Sequence, residues 1–526
     1  MTDTADENAY DQIPYPNYSH RETHPRHLEV IARLFGMNPP SINQSRVLEL
    51  GCAAGWNLVP QAQDLPQSQF LGIDYSTRQI ESGKTMVKQL GLKNIELRHA
   101  DILDIDESWG QFDYIICHGI FSWVPQIVRT KIFEICSKNL VPNGVALVSY
   151  NVYPGWQLQS TIRDMMLYHI ADREEPQERV TQARAVLDFL IKNCPQNTLY
   201  SKLFQTELAR VSDNEDAQLL HDHLEGVNDP VYFHQFIEQA GAMNLQYLGD
   251  VHFSQMILNN LSSDARRTLG AVPLIQQEQY MDFLRNRSFR KTLLCHDDVK
   301  LERNLKLDIL YGLHIAMAKP LEPARLQPDS EEPLRIKTHD KEIVSEEPVV
   351  KAAVKLLSEI WPGTMPFEEL NAKSLEMLSP KQRSQYKARR NDAGKDSKAV
   401  LASIFLEFMS VDLAECFVHP PRHALRPGEY PAASSVARFQ ALEGPVVTNF
   451  RHEKIKLNET ERRIITQLDG SKNRQALIEN LRDAAESGAM KVQRDGKMVK
   501  NLEDMKLSDI VNSILDNLNR MALLKP

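Results

Sequence analysis

Long apolar runs are missing from the sequence. No stretch of the 526 residues approaches the roughly 18 consecutive apolar residues that a membrane-spanning helix needs. The opening segment, residues 1–11, is acidic and polar and holds no apolar core of a secretion signal. These absences predict a protein without membrane insertion or cleaved export, and we expect it to be cytoplasmic.

Cysteine is sparse and is not spaced for the sites that it usually builds. The six cysteines are scattered, with no Cys-x-x-Cys pair and no Cys/His spacing that would close a tetrahedral zinc site. Reduced thiols are the default for this pattern in the cytoplasm. The sequence therefore predicts no metal site.

An excess of positive charge is also absent. The chain has 61 Lys and Arg against 70 Asp and Glu, for a net charge of -9. Because phosphate binding depends mainly on basic surface, this balance argues against a nucleic-acid partner. The hydrophobic and charged fractions, 42% and 25%, are ordinary for a globular protein, and the length predicts about three domains.

Alternating strand and helix patterns are present in residues 46–150. Strands are predicted at 46–50, 69–74, 95–101, 112–117 and 144–150, with helices between them. A helical stretch follows from residue 156, and strand signals return at 245–253 and 287–294. This order predicts a Rossmann-like α/β sheet with a helical insertion between its fifth and sixth strands.

A glycine turn follows the first strand, at the edge where an open α/β sheet binds its ligand. It reads Glu49-x-Gly51-x-x-x-Gly55. The dinucleotide fingerprint G-x-G-x-x-G is not met, because Ala53 and Trp56 stand at its second and third glycine positions. Trp56 would crowd a pyrophosphate, so the turn favours a cofactor that has an adenosine but no phosphates.

The next strand ends supply further candidate ligands. Asp74 ends the second strand, where a carboxylate is placed to accept both ribose hydroxyls. Asp101 and Ile102 follow the third strand and could bind the adenine amino group and ring, although Asp101 could instead cap a helix.

Residues 47–55, 72–76 and 100–103 resemble the cofactor motifs of class I S-adenosylmethionine-dependent methyltransferases. Residues 221–233, 283–294 and 447–452 resemble methyltransferases that carry a methyltransferase regulatory domain, a group that includes the rickettsial outer-membrane-protein lysine methyltransferases. The resemblance covers almost the whole chain. It implies a seven-stranded class I methyltransferase sheet, S-adenosyl-L-methionine as the cofactor, and the following cofactor-binding residues: Glu49, Gly51, Cys52, Ala53, Gly55, Asp74, Tyr75, Asp101, Ile102 and His118.

The methyl acceptor is expected near the end of the fourth strand. This segment, residues 117–125, lacks the Asn/Asp-Pro-Pro-Tyr box of nucleobase and amide methyltransferases, and it places His118 toward the acceptor. A lysine acceptor, with a reference pKa of about 10.4, must lose a proton before it attacks. The candidate proton acceptors are His118 and the tyrosines Tyr10, Tyr15, Tyr18, Tyr150 and Tyr153, of which we take His118 and Tyr153 as the candidate catalytic residues.

Five regions are predicted. They are a cofactor-binding core (1–155), a helical insertion (156–212), a regulatory region that completes the sheet (213–300), a middle helical module (301–430) and a C-terminal winged-helix-like module (431–526). The basic run 381–398 is interpreted as a solvated loop. Arg285, Arg287, Arg290 and Lys291 could steer an acidic substrate or pair with Asp and Glu on the surface, and we favour the surface ion pairs.

We expect methyl transfer to a protein side chain, with lysine first. The alternatives are a small-molecule methyltransferase with regulatory modules and a non-catalytic cofactor-sensing adaptor. A closed apolar pocket would favour the first alternative, and an open groove beside the C-terminal modules would favour a protein substrate. The insertion either covers the active site or forms a dimer contact, and the resemblance favours a homodimer.

Overall fold

A seven-stranded sheet organises the first 300 residues. The computed structural model describes residues 18–212, 216–322, 326–338, 341–389, 392, 394–487, 493–494, 497–498 and 507–526. The strands are β1 (Arg46–Leu50), β2 (Gln69–Asp74), β3 (Ile95–His99), β4 (Phe112–Cys117), β5 (Leu140–Asn151), β6 (Leu245–Asp250) and β7 (Phe289–His296). Their order is β3-β2-β1-β4-β5-β7-β6, and only β7 runs antiparallel to its neighbours. This confirms the predicted fold.

Helices cover both faces of the sheet because its strands are apolar on both sides. Val47 and Ile116 face one buried cluster, and Leu48 and Ile115 face the other, as the alternation of a strand requires. The first four helices are α1 (Pro25–Leu34), α2 (Leu58–Asp64), α3 (Thr77–Leu90) and α4 (Gln126–Lys138). The strand order reverses between β1 and β4, so their carboxyl ends form the crevice where such sheets bind ligands.

Four helices follow β5 and form a separate small core. They are α5 (Gly155–His169), α6 (Pro176–Asn193), α7 (Leu199–Ser212) and α8 (Asp216–His223). Their buried residues include Ile162, Met166, Leu187, Phe204 and Leu219. The helices therefore pack on one another as a unit inserted before β6.

The chain then returns to the sheet through α9 (Phe233–Gly241), α10 (Phe253–Met256), α11 (Ser263–Leu269) and α12 (Leu274–Arg285). Arg290 of β7 is 1% exposed and forms ion pairs with Glu278 (2.9 Å) and Asp282 (2.8 Å) of α12. The prediction of surface ion pairs was wrong for Arg290 because β7 lies inside the sheet, between β5 and β6, with α12 packed beside it.

The middle module contains more strand than its sequence predicted. β8 (His314–Met317), β11 (Met365–Pro366) and β12 (Ala414–Phe417) form a three-stranded sheet, and β9 (Leu334–Lys337) pairs with β10 (Glu342–Ser345). The helices are α13 (Pro348–Glu359), α14 (Phe367–Glu376), α15 (Pro380–Ala388) and α16 (Ser397–Met409). The solvated-loop prediction was wrong for residues 381–388, since Ser379 and Gln382 form a capping box that starts α15.

The C-terminal module is a winged helix. It contains α17 (Ser435–Glu443), β13 (Val446–Thr448), β14 (Lys454–Lys456), α18 (Glu459–Ile465), α19 (Arg474–Glu486), β15 (Gln493–Arg494), β16 (Lys497–Met498) and α20 (Leu507–Arg520). Asn458 and Glu461 form a capping box at the start of α18. Within the described ranges, no helix combines the length and apolar character that a membrane span requires.

Candidate active site

The turn after β1 is compact and needs its glycines. Gly51 (φ +74°) and Gly55 (φ +77°) adopt left-handed backbone conformations, as does Ala53 (φ +48°). The amides of Gly51 and Cys52 both donate to the carbonyl of Ile73 at 2.9 Å, which holds the turn against β2. A Cβ at Gly51 would lie 2.3 Å from Cδ1 of Ile120, so the backbone approaches the segment after β4 closely.

Asp74 aligns the turns that follow β1 and β2. Its Oδ2 accepts a hydrogen bond from the amide of Ala53 at 2.8 Å, and its Oδ1 accepts one from the amide of Ser76 at 2.9 Å. Asp74, the residue predicted to bind the ribose, therefore lies beside the glycine turn. Tyr75, the next residue, is 63% exposed at the rim, with its ring 6.1 Å from that of His99.

Glu49 supplies the observation that tests the fit of an S-adenosylmethionine cofactor. It is 4% exposed, and its Oε1 accepts a hydrogen bond from Nδ2 of Asn57 at 2.6 Å. Its Oε2 has no hydrogen-bond partner among the described residues. Burial raises the pKa of Glu49 to about 7, with a smaller contribution from Asp74. A buried carboxylate oxygen beside a glycine turn suits the α-ammonium of the cofactor's methionine end.

Asn57 joins this carboxylate to two distant parts of the chain. Its Oδ1 accepts hydrogen bonds from the amide of His20 and from the ring of His452, both at 2.9 Å. Its Nδ2 also donates to Thr23 Oγ1 at 2.9 Å. The side-chain amide of Asn57, next to Glu49, therefore joins three parts of the chain. They are the cofactor-binding core, the segment before α1 and the winged helix module.

The remaining predicted cofactor ligands lie around the same crevice. Asp101 caps a short 3-10 turn by accepting from the amide of Leu103 at 2.9 Å, and Ile102 is half-buried against the sheet core. Cys52 is buried, with its Sγ 3.5 Å from the carbonyl of Ala53. Asp101 thus has the capping role that its sequence also allowed, and its contact with adenine stays a prediction.

His118 belongs to a cluster at the carboxyl end of β4. We call His20, Glu22 and His118 the acceptor cluster, because their ligand atoms all lie within 4.8 Å of one another. His118 Nδ1 and the Gly119 amide both hydrogen-bond to Ser149 Oγ of β5, at 2.9 and 2.8 Å. Burial lowers the pKa of His118 to about 4, so the ring is neutral near pH 7.

Two histidines and a carboxylate at this spacing are also the donor types of a metal site. Glu22, however, already forms an ion pair with the Lys291 ammonium. A metal ion would therefore have to displace that ammonium from Glu22.

The tyrosine candidates do not join the acceptor cluster in the contacts that the structure records. The ring of Tyr153 lies 5.3 Å from that of Tyr232, and burial, followed by Asp229, raises its pKa. Tyr150 is 1% exposed and hydrogen-bonds to Thr292 at 2.9 Å. Tyr18 lies under the ammonium of Lys454, at 4.5 Å. Tyr10 and Tyr15 are outside the described residues.

Sequence reasoning missed the roles of His20, Glu22, Asn57, Lys291 and His452. His452 does close the 447–452 stretch that carried the family resemblance, and Asn57 comes two residues after the last motif glycine. Lys291 lies within the 283–294 stretch that also carried the resemblance, so these three positions had a signal close to a recognised motif.

Three family models match the chain. Residues 43–209 match a methyltransferase domain, residues 215–296 a predicted methyltransferase regulatory domain, and residues 429–523 the PKMT C-terminal winged helix domain. Taken with the sheet order and the glycine turn, these matches make the protein a class I S-adenosylmethionine-dependent methyltransferase.

Relatives that match nearly the whole chain define its family. The uncharacterized protein RP789 of Rickettsia prowazekii is 36% identical over 533 residues, which cover 99% of this chain and 94% of that protein. The structure of PKMT2 from Rickettsia typhi has a TM-score of 0.86 and 32% identity, covering 97% of this chain and 100% of that one. Its complex with AdoHcy has a TM-score of 0.85 and 31% identity, with the same coverage. The chain belongs to this family of methyltransferases with a regulatory domain and a PKMT winged helix domain, and S-adenosylmethionine is its cofactor.

Proposed function

We propose that the protein transfers the methyl group of S-adenosylmethionine to the side chain of a protein, with lysine as the first acceptor. The likeness to PKMT2 supports this proposal, since PKMT denotes protein lysine methyltransferase. The residue contacts at the acceptor side support it independently.

The observation that carries the proposal is a cavity beside the acceptor cluster. It has a volume of about 320 Å³ and lies between α1, the turn after β6, and β12 of the middle module. Val30, Ile31 and Phe417 give it an apolar wall, and Glu415, which forms an ion pair with Arg451 at 2.7 Å, lies beside them. Glu22 lines the cavity and also belongs to the acceptor cluster, so the cavity and the cluster share this carboxylate.

The walls of this cavity favour an extended acceptor. They combine apolar side chains of the catalytic core and the middle module with the carboxylate of Glu22. A lysine side chain has the apolar stem and the charged end that this wall and Glu22 would accommodate.

The chain's residues have two tasks in such a transfer. When bound, S-adenosylmethionine supplies a methyl group on a good leaving group, so the protein must align the acceptor and accept its proton. Glu49, Asp74 and the glycine turn would hold the cofactor. Glu22 would bind the acceptor ammonium, and His118, whose lowered pKa keeps its ring neutral near pH 7, would accept the proton and pass it on to water.

The first experiment incubates the purified chain with radiolabelled S-adenosylmethionine and a lysate divided into protein and small-molecule fractions. Label in protein, located on lysine by mass spectrometry, is the expected result. Asp74→Ala should abolish it, whereas Glu81→Ala, which removes an exposed carboxylate on α3 of the same domain, should leave it unchanged.

Two outcomes would contradict the proposal. Label confined to the small-molecule fraction would favour a small-molecule methyltransferase. Measurable cofactor binding with no label in either fraction would favour the cofactor-sensing adaptor.

We also propose that the insertion forms a homodimer contact. Large apolar side chains on its surface are unusually exposed: Tyr168 is 88% exposed, Phe189 61% and Leu199 86%. Sedimentation velocity should show a dimer that Phe189→Ser weakens and that Leu442→Ser, at an apolar residue 68% exposed in the winged helix module, does not. A monomeric wild-type chain at micromolar concentration would refute the dimer.

A further inference from the structure

An ammonium group of the chain itself lies at the acceptor cluster. Lys291 Nζ donates a hydrogen bond to Glu22, and the two side chains are only 17% and 18% exposed. Lys291 is the register partner of Ser149 in the antiparallel pair of β5 and β7. Opposite residues of such a pair project from the same face of the sheet. Because Ser149 binds His118, the side chains of Lys291 and His118 share that face.

The groups around this ammonium suit an alkylammonium ligand. Glu22 supplies the opposite charge. The His20 and His118 rings lie 4.4 Å apart and are neutral near pH 7, because burial lowers their pKa values to about 2 and about 4. The Phe289 ring centroid lies 5.9 Å from Lys291 Nζ, within the range of cation–π attraction.

We propose that the acceptor cluster, with Phe289, is a binding site for a primary alkylammonium group, and that Lys291 occupies it until the ammonium of an acceptor lysine displaces it. This rests on the proposed function, because the incoming ammonium is that of the acceptor. Lys291 is then a positioning residue: it keeps Glu22 paired in the substrate-free chain and excludes cations that cannot compete with a tethered amine.

The surroundings of Lys291 make its displacement feasible. Burial, together with the nearby ammonium of Lys454, lowers the pKa of Lys291 to about 8. The charged form of Lys291 is therefore less stable than that of an exposed lysine. An acceptor lysine has the same aliphatic stem and the same ammonium group, which Glu22 can bind in its place.

The test removes the Lys291 side chain from the site and adds a soluble primary amine. Lys291→Ala should be stabilised by n-butylamine hydrochloride, measured as a rise in Tm that saturates with concentration. The wild-type chain and Lys138→Ala, which removes a surface lysine paired with Glu134, should respond only at a much higher amine concentration, because the amine must first displace Lys291. Adding Glu22→Gln to Lys291→Ala should abolish the effect, and 1-butanol, which lacks the charge, should not reproduce it.

Each alternative outcome overturns the assignment. An equal amine response in wild type and Lys291→Ala would mean that Lys291 does not occupy the site. Saturable stabilisation of the wild-type chain by zinc, lost in Glu22→Gln, would make the cluster a metal site. If Lys291→Ala does not fold, Lys291→Met retains most of the stem, and the same titration applies.

This assay does not depend on methyl transfer, so the two proposals fail separately. Amine binding without a labelled protein acceptor would refute the proposed function and leave the ammonium site. A labelled protein lysine without saturable amine binding would refute the ammonium site and leave the proposed function.

Discussion

Gly51 bears the strongest local constraint in the cofactor turn, and it allows a matched substitution. Gly51→Ala places a methyl group in the left-handed region and 2.3 Å from Ile120 Cδ1. Gly91→Ala also demands a left-handed alanine, at φ +67°, but its Cβ would meet nothing within 4 Å. Both variants incur the backbone penalty of about 1–2 kcal/mol, and only the first adds overpacking of about 1–3 kcal/mol.

We therefore expect Gly51→Ala to lower the free energy of unfolding by about 2 kcal/mol more than Gly91→Ala. Urea denaturation measures the difference, and AdoHcy titration should show weaker binding only for Gly51→Ala. Equal losses of stability would show that Ile120 moves aside and that the turn is less constrained than the contact distance implies.

At the scale of single residues, the sequence predicts those residues whose surroundings are set by their neighbours in the chain. Glu49, Gly51 and Asp74 could be found because a strand end and a glycine turn fix their surroundings within a few positions. Asn57 and His452 are separated by 395 positions, and Glu22 and Lys291 by 269. Such contacts exist only after the modules have packed, so no local pattern encodes them.

Between elements, a buried ion pair fastens α12 to β7. Arg290→Met would leave the carboxylates of Glu278 and Asp282 buried without their main partner, which typically costs about 3–5 kcal/mol. The control is Arg267→Met, since the Arg267–Asp264 pair is 82% and 85% exposed and pairs of that kind contribute about 0–1 kcal/mol. Thermal or urea unfolding should separate the two variants clearly, and similar losses would mean that α12 is held by apolar packing alone.

The hairpin of β13 and β14 reaches the start of α2 through His452. His452→Ala removes the ring that hydrogen-bonds to Asn57 Oδ1, and we expect a loss of about 1–3 kcal/mol together with weaker AdoHcy binding, because Asn57 also orients Glu49. His452→Gln retains a donor and should recover part of both losses. Unchanged AdoHcy affinity in His452→Ala would show that the winged helix module does not act on the cofactor turn.

Elements themselves were predictable where they are long and strongly patterned. The sheet strands and the longer helices have apolar periodicities that extend over several residues. β8, β11 and β12 contain only two to four residues each, too few to show a period of two. The charged residues of α15 led to the prediction of a loop. The helix is instead defined by its capping box and by the burial of Tyr386.

For the whole molecule, buried titratable groups predict how stability depends on pH. Burial lowers the pKa of five histidines far enough to keep them neutral in the folded chain: His20, His24, His27, His118 and His452. The unfolded chain protonates them near pH 6.5, so the folded state loses stability as pH falls below that value. Burial raises the pKa of Glu29 and Glu49 to about 7, and these two act in the opposite direction between pH 4.5 and 7.

The histidines with lowered pKa values outnumber these two glutamates, so we expect the unfolded chain to bind more protons than the folded chain between pH 6 and pH 5. The free energy of unfolding should therefore fall from pH 6 to pH 5, by about 1.4 kcal/mol for each proton that the unfolded chain binds in excess. Urea denaturation across this range, at constant ionic strength, gives the slope directly. A flat or rising stability below pH 6 would mean that these histidines are hydrated in the folded chain.

The meeting of three segments at Asn57 has a consequence for biosynthesis. A ribosome releases the sheet, the glycine turn and Asp74 long before it adds His452. Until the winged helix module emerges, Asn57 lacks one of its partners and Thr448 has not yet bound Ser19. We therefore expect full cofactor affinity to develop only late in synthesis, and a prematurely terminated chain to compete poorly for S-adenosylmethionine.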